Sequence, residues 1–133
     1  MIRKIISVAL FAAGPLFFSS GAWAHHGGAA YETDKSITVT GAVTKFEFIN
    51  PHVLIYIAVT NDDGEVVEWS GELTSPNRLA RMDRGSTVQW SKDILRPGDE
   101  IVLSGNPARS GAPSLRLRTV IDANGVAIVG GND

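Results

Sequence analysis

Between Ile37 and Ile49 the large apolar residues change sides partway along one extended run. Ile37, Val39, Gly41 and Val43 fall on odd positions, whereas Phe46 and Phe48 fall on even ones. Successive side chains of a strand point to opposite faces, so the switch demands a bulge or a sharp bend inside a single strand. Gly41 offers a place where the backbone can curve at little cost. A strand that changes face midway serves two sheets, which narrows the fold more than any other stretch of the chain.

The neighbouring segments read as further strands. Asn50-Pro51 ends the first run, because proline cannot donate to a ladder and pushes the residue before it towards extended geometry. From His52 to Thr60, Val53, Ile55, Ile57 and Val59 form a β-branched core face, and His52, Leu54, Tyr56 and Ala58 form the opposite one. Asn61-Asp62-Asp63-Gly64 is a hairpin turn with Gly64 suited to positive φ. The third strand, Glu65 to Leu73, sets Val67, Trp69 and Gly71 against Glu68, Ser70 and Glu72.

Ser75-Pro76 then opens a short helix, Asn77 to Met82, with serine as cap and proline where its missing N–H costs nothing. Leu79 and Met82, three apart, share one helix face. Beyond a less regular stretch, Asp83 to Val88, Ser91 caps a second helical turn through Leu95, closed by Pro97-Gly98 and flanked by Asp93 and Asp99 as turn caps. Glu100 to Ser104 and Ser114 to Asp122 are strands four and five, joined by the polar connection Gly105 to Pro113. Asn124-Gly125 signals another hairpin, with Val126 to Val129 as an edge strand. A three-stranded meander, a helix and two more strands predict an all-β fold. Specifically, they predict a small five- or six-stranded OB-like Greek-key barrel with a short helix between strands 3 and 4. A generic β-sandwich is the alternative, and it does not account for the helix.

The N-terminal residues read as an address. Arg3 and Lys4 precede an apolar run from Ile5 to Phe18, and small residues end in Ala22-Trp23-Ala24, the pattern of a cleaved secretory signal peptide. Gly14 and Pro15 interrupt the run before it reaches the roughly 20 apolar residues of a membrane span. The expected organisation is a signal peptide over 1–24, a flexible tail over 25–36 and the barrel over 37–133. Cleavage leaves ten basic against fourteen acidic residues, a formal charge of −4. That balance gives no general attraction for nucleic acid or anionic membrane. No cysteine is present, so the exported chain must be held by its apolar core alone. The expectation is a periplasmic protein with no membrane span after cleavage.

Three groups of residues could carry function. Cleavage after Ala24 would expose His25 as a new N terminus, followed at once by His26. An N-terminal amine and imidazole on one residue, joined by a second imidazole, make a histidine brace for copper, and imidazole nitrogens suit copper or zinc. His52 is the third histidine of the chain and the candidate partner. The route is long: the thirteen residues of the first strand span up to ~40 Å, and the twelve-residue tail covers that only when fully extended. The bland reading of these histidines is a solvated tail and a ring bonded to a loop carbonyl.

The second group is the outward face of strands two and three, with Leu54, Tyr56, Glu68, Ser70 and Glu72 beside His52; OB folds bind ligands across these strands. Its bland reading is ordinary cross-strand decoration. The arginines form the third group, among them Arg116 and Arg118 on one face of strand five. In an acidic, exported chain they fit pairing with carboxylates better than a nucleic-acid groove. Trp69 and Trp90 fit packing better than a ligand cage. No cysteine nucleophile, Gly-x-Ser-x-Gly elbow or phosphate loop is present, so catalysis has little to stand on. The leading reading is a non-enzymatic exported binding domain with copper as its sharpest ligand. A structural or protein-interaction module of the cell envelope comes next, and a copper-dependent redox enzyme last.

Several short motifs carry a likeness. His25-His26, Gly41-x-Val43, Phe46-x-Phe48-x-Asn50-Pro51-His52, Glu68-Trp69, Ser75-Pro76-Asn77-x-Leu79-x-Arg81, Trp90, Leu95-x-Pro97-Gly98-Asp99 and Gly105-Asn106-Pro107 resemble a family of small secreted bacterial proteins known only as a domain of unknown function. The likeness spans nearly the whole chain after Ala24. It implies a recurring exported domain and assigns no substrate, cofactor or catalytic residue.

Overall fold

The computed structural model describes residues 27–82 and 88–128. In chain order these form β1 (Ile37–Glu47), β2 (Leu54–Thr60), β3 (Val66–Glu72), the helix α1 (Pro76–Met82), β4 (Glu100–Pro107) and β5 (Ser114–Ile121). The strands close a barrel in the order β1-β2-β3-β5-β4, and β4 returns to pair with β1. Neighbours are antiparallel except β3 and β5, which run parallel. This is the expected OB-like Greek-key barrel with its helix between strands three and four.

The phase switch in β1 is a bulge. Residues 37–42 pair with β4 and residues 42–47 with β2, and the β2 register shifts between Val43 and Lys45. Thr44 is the extra residue, so Val43 and Phe46 can both turn inward on either side of it. Gly41 serves another need: a Cβ there would run into the Ala58 carbonyl across the ladder. The strand ends at Glu47, short of the expected Ile49, and the Asn50–Pro51 peptide bond is cis.

The core follows the alternation read from β2. Val53, Ile55 and Ile57 are fully buried, while Val59 packs partly exposed at the margin. Ile101 and Leu103 of β4 and Leu115, Leu117 and Val120 of β5 face them, with Leu73, Leu95 and Ile128 closing the ends of the same cluster. Removing a side chain of this size from water contributes about 1.5–3 kcal/mol. In α1 the Ser75 hydroxyl accepts the Arg78 N–H at 3.3 Å, and Leu79 is fully buried. Met82 departs from the expected shared face and is exposed, so Leu79 alone ties the helix to the core. Trp90 is buried and Trp69 partly so, with the Phe46 and Trp90 ring centres 6.5 Å apart.

Two other elements are smaller than the sequence suggested. Ser91 to Leu95 forms no helix; Ile94 N–H reaches the Ser91 carbonyl at 3.3 Å in a single turn. Proline 97 and Gly98 follow at once, and Asp99 takes the Arg96 N–H at 2.8 Å, so the chain turns back before a helix can extend. The Asn124-Gly125 turn forms, with the Asp122 carboxylate accepting the Asn124 and Val126 amides at 2.9 Å each. The edge strand reduces to one bridge, Ile121 to Ala127, and Val129 lies outside the described residues. Among the described residues no helix is long and apolar enough to cross a membrane.

Residues 27–36, expected within a tail, include a short 3-10 turn at Gly27–Ala30 and a seated segment. Tyr31 bridges to Ala108 and is only 8% exposed. Glu32 N–H donates to the Pro107 carbonyl and Arg109 N–H to the Ala30 carbonyl, each at 2.9 Å. Asn106, a buried polar side chain, donates to the Lys35 carbonyl at 2.6 Å and accepts from Arg118 Nε at 3.0 Å.

Candidate functional site

The inward alternation of β2 and β3 leaves His52, Leu54, Tyr56, Glu68, Ser70 and Glu72 on the outer surface. Register pairs Leu54 with Glu72 and Tyr56 with Ser70 across the two strands. The parallel ladder extends the surface onto β5, setting Ser114 beside Ser70 and Arg116 beside Glu72. All the face residues named from the sequence therefore share one surface, which differs from end to end.

At the Tyr56 end the side-chain contacts run between near neighbours on β1, β2 and β3. Lys45 sits 5.6 Å from the Tyr56 ring centre and pairs with Glu47. Thr44, the bulge residue, donates its hydroxyl to Glu68 at 2.9 Å. At the other end Glu72 joins two partners from distant parts of the chain. His52 Nδ1 meets one of its carboxylate oxygens, and the Tyr31 hydroxyl donates to the other at 2.9 Å. Ser114 Oγ lies 3.4 Å from the same phenol oxygen. The His52 side chain is 43% exposed and that of Glu72 22%, so the imidazole is accessible while the carboxylate behind it is largely covered.

Burial pushes the Tyr31 phenol above the usual tyrosine value; the Ser114 hydrogen bond opposes that shift, and Glu72 adds to it. Tyr31 is thus a neutral donor at ordinary pH, suited to hold a carboxylate. An imidazole with Nδ1 engaged by a carboxylate presents Nε2 as the nitrogen able to ligate or accept. His52 presents one nitrogen of this kind. Among the described residues no three of His, Cys, Asp or Glu converge into a metal cage, and His25 and His26 lie outside those residues.

Sequence reasoning missed Tyr31 and Ser114 as site residues. The available signal for Tyr31 was its position as the one large apolar anchor in a Gly- and Ala-rich stretch. The N-terminal segment approaches the His52 end of the face from the other side of the barrel. Closure carries the start of β1 round past β4 and β5 to the end of β3, where Tyr31 touches Glu72. His25 lies six residues before Tyr31, a reach of up to roughly 20 Å.

Fold and site together define a small OB-like barrel bearing an imidazole, a carboxylate and a phenol in series on its outer face. The chain belongs to the family of unknown function DUF6152, whose model matches residues 16–115 and so takes in Tyr31, His52, Glu72 and Ser114. No curated protein matches the chain.

Proposed function

We propose that this protein is an exported, non-enzymatic binding domain for a transition-metal ion, copper in the first place. Its ligands would be His52 together with His25 and His26 at the N terminus left by cleavage after Ala24. The observation that carries the reading is the Glu72 carboxylate behind His52 Nδ1, the arrangement that orients metal-binding imidazoles. The half-exposed ring favours the same end of the face, since the Tyr56 end is occupied by Lys45 and Thr44. Imidazole and amine nitrogens suit copper and zinc. Export rests on Arg3-Lys4, the apolar run and Ala22-Trp23-Ala24.

Calorimetric titration of the chain beginning at His25 with Cu(II) and Zn(II) tests the metal reading. Affinity should drop sharply in His52→Ala and when one extra residue precedes His25. A variant with all three histidines replaced by alanine that binds as well as the native chain would rule the reading out. Mass measurement of the exported protein should give a chain starting at His25; an intact N terminus would remove the brace.

A further inference from the structure

Glu72 stands at the end of β3, where a long side chain without fixed partners samples many rotamers. Here one oxygen accepts the Tyr31 phenol at 2.9 Å and the other faces His52 Nδ1, so fixing the first aims the second. The phenol is itself held. Tyr31 is buried, the amide of Glu32 and the carbonyl of Ala30 are tied to Pro107 and Arg109, and Arg109 Nε adds a bond to the Ala29 carbonyl at 3.1 Å. Asn106 anchors the same segment at Lys35. The phenol oxygen therefore cannot move far without lifting residues 29–35 from the barrel.

A neutral imidazole carries its proton on one nitrogen only, and a carboxylate against Nδ1 selects the form that keeps Nε2 open. We propose that Tyr31 is a positioning residue for His52, and that seating of the N-terminal segment and orientation of that imidazole are one event. This rests on reading His52 as the ligating residue. It adds that the segment leading to His25 and His26 is a working part of the site, and that the site loosens when the segment lifts.

The test uses the metal-free chain beginning at His25 at neutral pH, with long-range proton–nitrogen correlation of the His52 ring as a readout that needs no metal. The native ring should show the tautomer protonated at Nδ1. Tyr31→Phe, which keeps the buried ring, should show mixed tautomers and about tenfold weaker Zn(II) binding, the scale of outer-shell losses. Thr38→Val, which removes a hydroxyl bond to Ser104 elsewhere on the barrel, should change neither readout. A native tautomer retained in Tyr31→Phe would overturn the positioning role, as would a native ring protonated at Nε2. Should the native chain take no zinc, the metal reading fails by itself and the tautomer comparison still decides the role of Tyr31.

Discussion

The two faces of the β2–β3 ribbon share a backbone and differ in what holds them. Inward, Val53, Ile55, Ile57 and Gly71 pack against β4 and β5, and their contacts are apolar and set by volume. Outward, His52, Glu72 and Tyr31 are joined by directional bonds whose ends lie up to 41 residues apart in sequence. The inner face tolerates little change in size. The outer one depends on which donor meets which acceptor. Stability and site chemistry are therefore separable by substitution on alternate residues of the same strands.

The sharpest way to break that division is Ile55→Ala, which should cost about 2–5 kcal/mol in chemical denaturation as the cavity and lost transfer energy add. A loss below 1 kcal/mol would mean the interior is loosely packed. Gly71→Ala comes next: its new Cβ would sit 2.6 Å from Leu117 Cδ1, and Leu117 is buried, so about 1–3 kcal/mol of overpacking is expected. Its neighbour Glu72, one residue on and facing out, should show no such steric sensitivity.

Tyr31→Phe should cost about 1 kcal/mol for the lost bond to a partly exposed carboxylate, readable in the same denaturation series. The raised phenol value adds a pH signature. The unfolded chain releases the tyrosine proton near pH 10, whereas the folded chain holds it to higher pH. The contribution is thus fully present below about pH 10 and is lost as pH rises through the folded value. That alkaline loss should flatten in Tyr31→Phe. Smallest of all, Tyr56→Ala should shift stability by about 0.5 kcal/mol or less, as expected for a surface position. A larger loss would show that the outer face also supports the fold.

How far the sequence could be read depended on distance along the chain. The bulge at Thr44, the Asn61–Gly64 turn and the Ser75 cap are local, and each showed in a few adjacent residues. Strand order was reachable from the meander, the helix and the bent first strand. The contact of Tyr31 with Glu72 was not, because it depends on the N-terminal segment pairing with Pro107 and Ala108 at the end of β4, which no local pattern encodes. Measured along β1, the N-terminal segment and His52 stand far apart. Measured around the closed barrel, both reach Glu72.

The pairing of β3 with β5 is also the shortest ladder in the barrel, reaching only from Ser70 to Glu72 on one side and Ser114 to Arg116 on the other. Tyr31 places its hydroxyl beside a residue of each strand, Glu72 and Ser114. Barrels of this kind open first where the fewest bonds must break. The N-terminal segment thus works as a clasp over the weakest closure of the wall, and amide exchange along residues 70–72 and 114–116 should report whether the clasp is fastened.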